Sequence, residues 1–293
     1  MSERSLPSLS PRATDSHKGD FGRALLVGGS RGMAGAIALA GMATLRGGAG
    51  LVQLAVPEDC LQLVASFEPS YMTVGLPGDL QGRISQAAHA TLADSLGAAT
   101  VVACGPGLGR SDDLTELVGW LYRTVKQPAV FDADALNALA QRPDQLASPG
   151  GPRILTPHPG EFRRLIGDPT PLARDRCERE AHALAARCGV VIVLKGHHTL
   201  VTDGTHQVHN ATGNPGMATG GCGDVLTGLL TALLCQQFSV LDAAHLGTHL
   251  HGLAGDLAAD ELGQVSLIAS DLIRFLPAAF SALRLQRGIR LGF

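Results

Sequence analysis

Aromatic residues are scarce, at 4% of 293, with one tryptophan at Trp120. Proteins that stack the bases of single strands need several such rings, so that class is set aside. Lysine is rarer still: Lys18, Lys126 and Lys195 are the only three. The formal net charge is −3, which is no basic footprint for nucleic acid. Cysteines 60, 104, 177, 188, 222 and 235 form no CxxC pair. That excludes paired-cysteine metal spacing, and a chain of this length needs no disulfide framework. The longest apolar stretch, 225–235, is broken by Thr227 and Gly228 and is too short to span a bilayer. Residues 1–18 are polar and lack the apolar centre of a signal peptide. Gly-Lys-Ser/Thr occurs nowhere, so there is no Walker A loop. A soluble, cytoplasmic protein is expected, with neither nucleic acid nor membrane as partner.

What the chain has is apolar residues, at 45%, and 37 glycines. After a disordered lead-in expected over 1–16, short apolar runs alternate with helical patterns. Runs at 23–27, 51–56, 100–104, 128–131, 153–155 and 190–194 read as strands. Segments 33–45, 112–125, 172–187, 224–236, 241–261 and 269–280 read as helices, with another starting after Pro57. Residues 199–202 and 207–209 suggest a hairpin about Asp203-Gly204. Such alternation means βαβ units and a mostly parallel sheet. Ligands then bind outside the carboxyl ends of the strands. Gly28, Gly107, Asp132, His158 and Lys195 all fall at those ends.

The segment Gly213 to Asp224 holds most of the chemical interest. Its glycines let the backbone close around a ligand. The helix that follows offers unpaired N–H groups and the positive end of its dipole, an anion hole suited to phosphate. Asp224 either caps that helix or accepts a proton from an attacking hydroxyl. Cys222 stands where a dipole lowers a thiol's pKa, but no base adjoins it in sequence. Gly105-Pro106-Gly107-Leu108-Gly109 is a weaker signal, because strand-to-helix turns often need glycine. Prolines flank His158, which favours a positioned side chain over a solvated one. Glu161 reads mainly as a helix start. Lys195 closes an apolar strand, where it meets a phosphate or shapes the pocket through its backbone. Asp132 and Asp134 either hold Mg²⁺ through water or cap the next helix. His245 and His249 have the spacing of a zinc pair, but no glutamate follows His245 as HExxH requires.

Taken in order, several motifs resemble the NAD(P)H-hydrate dehydratase family, carbohydrate-kinase-like proteins of ribokinase-type fold. They are His17–Gly22, Gly28-Gly29-Ser30 with Gly32–Ala36, Arg46–Val52, Gly105–Gly109, Asp132–Asn137, Thr156–Glu161, Lys195-Gly196 and Gly220–Asp224. The resemblance runs from His17 onward and implies one α/β domain over 17–293, a three-layer sandwich. It implies repair of the hydrated nicotinamide nucleotides NADHX and NADPHX. ADP, or ATP in some members, phosphorylates the added hydroxyl, phosphate leaves, and Mg²⁺ accompanies the nucleotide. Carried over by position, Ala36, Gly107, His158 and Asp224 contact the hydrate. Lys195, Gly196, His197, His198 and Thr199, with Gly223, hold the adenine nucleotide. Asp224 is the base, and Gly221, Cys222 and Gly223 form the anion hole. His197-His198 departs from the small or other polar residues common there. The resemblance also implies a homo-oligomer, a tetramer, and an NAD(P)HX epimerase as partner, often fused in front of this domain; with so short a lead before His17, that epimerase is expected to be a separate protein or absent.

Two other readings compete. A kinase of a vitamin-precursor alcohol shares the glycine turn and its aspartate, but not usually the Thr-Pro-His-Pro-Gly-Glu pattern. A non-catalytic nucleotide-binding regulator would need no base at Asp224.

Overall fold

Along β1 (Arg23–Val27) successive buried side chains enter two different apolar layers: Ala24 and Leu26 join one, Leu25 and Val27 the other. This period of two, with both faces apolar, is what a sheet covered on both sides requires. The computed structural model describes residues 5–168 and 170–286. The strands that follow are β2 (Leu51–Pro57), β3 (Met72–Leu76), β4 (Val101–Cys104), β5 (Ala129–Phe131), β6 (Arg153–Leu155), β7 (Val191–Leu194), β8 (Leu200–Thr202) and β9 (Gln207–His209). All join one sheet in the order β3-β2-β1-β4-β5-β6-β7-β8-β9. β1 to β7 are parallel, and the hairpin β8-β9 adds two antiparallel strands.

Helices α1 (Ala34–Arg46), α2 (Glu58–Phe67), α8 (Cys222–Cys235), α9 (Val240–Leu262) and α10 (Ala269–Gln286) pack on one face. Helices α3 (His89–Ala98), α4 (Asp112–Thr124), α5 (Asp134–Ala140), α6 (Pro159–Leu165) and α7 (Arg174–Cys188) pack on the other. The result is the expected three-layer α/β sandwich. Helix ends differ from the sequence reading by one or two residues in most cases. Two elements were not foreseen. β3 is a half-exposed edge strand containing Gly75, so it has no apolar run to see. α3 buries only Leu92 and carries no marked apolar stripe. No helix among the described residues is long and apolar enough to cross a membrane.

Residues 1–4 of the expected lead-in, and 287–293 at the other end, lie outside the described residues. Residues 5–16 form no helix or strand but lie against the sandwich: Leu6 and Leu9 pack on its core, and the Arg12 guanidinium stacks 3.6 Å from the Phe21 ring centre.

The strand order reverses between β1 and β4, which opens a crevice at their carboxyl ends. Helix α8 is drawn close to α1 beside that crevice. A side chain at Gly228 would overlap the Ala40 carbonyl, and the Thr44 hydroxyl donates to the Gly228 carbonyl at 3.1 Å.

One buried cation supports the opposite face. Arg153 on β6 is fully buried, and its guanidinium donates to the carbonyls of Tyr122, Val125, Gln127 and Pro152. Tyr122 and Val125 stand at the end of α4, where carbonyls lack helical partners and a positive charge is favoured. Burial lowers the Arg153 pKa to about 10, so it stays charged at neutral pH. Arg153→Met leaves those carbonyls unpaired. It is expected to cost about 3 kcal/mol in urea unfolding, with Arg153→Lys recovering part of the loss.

Candidate functional site

The loops after β1 and β4 meet through their backbones. The Gly29 N–H donates to the Pro106 carbonyl at 2.8 Å, and the Ser30 hydroxyl to the Gly107 carbonyl at 2.8 Å. Gly107 has φ +65°, and a Cβ there would press on Ala36 and the Met33 carbonyl. Ala36 and Gly107, expected to share a ligand, therefore sit side by side at the strand-order switch.

The start of α8 lies next to them. Gly221 is its N-cap, with φ +92°, and a Cβ there would touch Leu39 of α1. Helical residues begin at Cys222, so Asp224 stands inside the first turn and does not cap the helix. The first-turn N–H groups have no acceptor within the helix, which suits an anion. The Cys222 thiol is buried, and burial pushes its pKa up to about 11 rather than down as its place at the helix start suggests.

Lys195, at the end of β7, brings its ammonium to this turn. Its Nζ lies 2.8 Å from Asp132 Oδ1 and 3.8 Å from Glu161 Oε2. A Cβ on Gly223 would stand 3.3 Å from the same nitrogen. The Thr227 hydroxyl, one turn along α8, donates to Asp132 Oδ2 at 2.8 Å. Strands β5 and β7 and helices α6 and α8 thus converge on one ammonium.

The charges divide unequally. Burial alone would raise Asp132, but the Lys195 charge and bonds from Lys195, Thr156 and Thr227 hold it below the ordinary value. Burial would lower Lys195, yet Asp132 and Glu161 raise it. Glu161 is raised by burial in spite of Lys195. Asp224 is pushed up to about 7, by burial first and by repulsion from Asp132 next, with Lys195 opposing. It has the properties of a base poised at neutral pH.

His158 caps α6. Its Nδ1 accepts the N–H groups of Gly160 at 3.0 Å and Glu161 at 3.3 Å, while the Glu161 carboxylate accepts the His158 N–H at 2.9 Å. Burial and the charges of Lys195 and Arg164 lower the His158 pKa. Its imidazole is half-exposed at the rim. Glu161, read from sequence as a helix start, both completes this cap and faces Lys195. Asp132 and Asp134 do not cap α5, whose N-cap is Ala133. Asp134 accepts the Gly109 N–H at 2.9 Å and bonds Asn137, which accepts from Arg164 at 2.8 Å.

Residues 196–199 form the exposed turn between β7 and β8. Thr199 Oγ1 bonds both backbone groups of Gly196, and Arg174 donates to the His198 carbonyl at 2.7 Å. The rings of His197 and His198 stack edge to face with centres 4.0 Å apart, outside the acidic cluster. His245, His249 and His251 do not converge. Among the described residues, no group of three or more His, Cys, Asp or Glu could hold a metal ion.

A mostly parallel nine-stranded sheet with an antiparallel hairpin, carrying a glycine-rich turn and aspartate at a helix start, defines a ribokinase-like α/β protein. Solved members of that superfamily share the fold. The profile of the NAD(P)H-hydrate dehydratase family matches residues 24–278, and the chain belongs to that family. It is 46% identical over 271 residues to a bifunctional NAD(P)H-hydrate repair enzyme of Moorella thermoacetica, covering 92% of this chain and 51% of that one. The chain spans about half the length of the bifunctional relatives it matches. It is 39% identical to an ADP-dependent (S)-NAD(P)H-hydrate dehydratase of Neisseria meningitidis, covering 89% of this chain and 86% of the relative. The crystal structure of the ADP/ATP-dependent NAD(P)H-hydrate dehydratase of Bacillus subtilis, co-crystallized with ATP/Mg²⁺, superposes with TM-score 0.78 at 30% identity. It covers 94% of each chain.

The raised Asp224 has a cost for the fold. Its ordinary value is 3.8, and its folded value is about 7. The penalty for ionising it is absent below the ordinary value, grows between the two, and is complete above the folded one. Asp224→Asn removes that penalty. The variant is expected to be about 2 kcal/mol more stable than wild type at pH 8, after discounting for partial solvation, with the gap closing toward pH 4. Urea unfolding at the two pH values measures this.

Proposed function

We propose that this chain dehydrates the S epimer of NADHX and NADPHX to NADH and NADPH, with ADP as phosphate donor. The observation that carries the reading is Asp224: a partly buried carboxyl raised to about 7, in the first turn of a helix entered from a glycine turn, beside Lys195. Membership of the dehydratase family supports it, as do relatives named for ADP and for the S hydrate.

Asp224 takes the proton of the hydrate hydroxyl. The freed oxygen attacks the terminal phosphorus of ADP, and the bond from that phosphorus to the AMP oxygen breaks. Hydroxide leaves poorly and phosphate well. The ring carbon–oxygen bond then breaks with release of phosphate, and a proton lost from the adjacent ring carbon restores the double bond. The amides of Gly221, Cys222 and Gly223 receive the charge on the transferred group. Lys195 lends its ammonium to the same place.

Ala36, Gly107 and His158, with Asp224, contact the hydrate in the crevice between the β1 and β4 loops. Lys195, Gly196, His197, His198 and Thr199, with Gly223, hold the adenine nucleotide along the β7–β8 turn. Mg²⁺ arrives with the nucleotide, because Asp132 and Asp134 are already bonded and do not fit as dedicated ligands. The chain acts in the cytoplasm, alongside an NAD(P)HX epimerase activity. It assembles as a homotetramer; exposed Leu63, Phe67 and Met72 near edge strand β3 support self-association.

Incubation of the S hydrate of NADH with ADP and Mg²⁺ is expected to restore the reduced-nicotinamide absorbance and release AMP and phosphate. Accumulation of a stable phosphorylated alcohol would instead favour a kinase. The rate is expected to fall below about pH 7 as Asp224 gains its proton. Asp224→Asn should lower kcat by about 10³-fold or more while retaining ADP binding. Full turnover in that variant removes the mechanism.

A further inference from the structure

Helix α9 supplies no residue to the reaction above, yet it holds the first part of the glycine-rich loop. The Asp256 carboxylate accepts the Gly213 N–H at 2.8 Å and the Asn214 side-chain amide at 3.0 Å. The Thr212 hydroxyl donates to the His249 carbonyl at 2.8 Å. Gly252 and Gly255 have no room for a Cβ, since Thr212 and Met217 occupy that space. From the same helix, His251 Nε2 lies 2.9 Å from the carbonyl oxygen of Cys222.

A carbonyl only accepts, so Nε2 carries the proton. Burial holds the His251 pKa down at about 4, which leaves the ring neutral at pH 7 with its single proton facing that oxygen. The carbonyl of Cys222 and the N–H of Gly223 belong to one peptide group. A bond accepted at the oxygen polarises the group and strengthens its N–H as a donor. That N–H is among the first-turn donors left free by helix geometry.

We infer that His251 is a positioning residue for phosphoryl transfer: it orients and polarises the Cys222–Gly223 peptide so that the Gly223 amide meets the transferred phosphate. It acts through the peptide and touches neither substrate. The inference rests on the phosphate site proposed above at the start of α8. The other α9 contacts fit this role, because they fix the first part of the loop leading into that peptide at four further points.

His251→Phe keeps the ring volume and removes the donor; His251→Gln returns an N–H near the position of Nε2. With saturating ADP, kcat of the Phe variant is expected to fall about tenfold or more, with KM for the hydrate little changed, and the Gln variant to recover most of the loss. If the Phe variant does not fold, His251→Asn, whose amide stops short of that position, takes its place against Gln. A merely structural role would lower the melting temperature while leaving kcat per folded enzyme at the wild-type level, and that result overturns the inference. So does an equal loss of kcat in the Gln variant. Calorimetric titration with ADP separates the two claims. Wild type that binds ADP but never dehydrates the hydrate refutes the reaction. In that case, ADP affinity weakened in Phe and restored in Gln still upholds His251. Equal ADP affinities in all variants, with equal kcat, overturn it, and wild type that does not bind ADP removes both.

Discussion

One ammonium faces three carboxylates. The bond from Lys195 to buried Asp132 is the contact on which the site depends, because it ties β7 to β5, and through Thr227 to α8. A buried ion pair gives little net stability, since removing both charges from water offsets their attraction. Its effect lies in allocation. Asp132 takes the cation's first hydrogen bond and stays ionised, and Glu161 takes a weaker share while capping α6. Asp224, raised first by burial, also faces the remaining negative field without full compensation. The base is thereby made by its burial together with its neighbours.

Much of the fold was legible because both sheet faces are apolar and the strands read as short continuous runs. Edge strand β3 and the weakly apolar α3 escaped, since neither buries enough of one face to leave a pattern. The site was legible where backbone geometry forces a residue type: glycine at Gly107 and Gly221, proline around His158. It was less legible where a role depends on partners distant in sequence. Thr227 read as a break in an apolar run, and its hydroxyl serves Asp132, 95 positions away. Glu161 read as a helix start because the Lys195 opposite it was invisible. Asp224 read first as a base and second as a cap, and the helix boundary at Cys222 removes the cap. His245 and His249 matched the spacing of a zinc pair without the glutamate of HExxH, and the role of His251, turned to a carbonyl of another helix, left no pattern in the sequence.

The loops after β1 and β4 meet largely through peptide groups. Gly29, Pro106 and Gly107 meet main chain to main chain, so what the sequence encodes there is permission for close approach. The side chains of Asp224, Lys195 and His158 stand around these loops, brought there by α8, β7 and α6.

Helix α8 is buried over nearly all of its 14 residues, and at about 1.5 Å per residue it forms a rod some 20 Å long. At one end it presents its amides to the crevice; at the other, the Gln236 side chain, just beyond its last turn, donates to the Gly47 carbonyl at 2.7 Å. Both ends of the rod are thus held by the rest of the core, so the height of its first-turn amides follows from how the whole helix is seated.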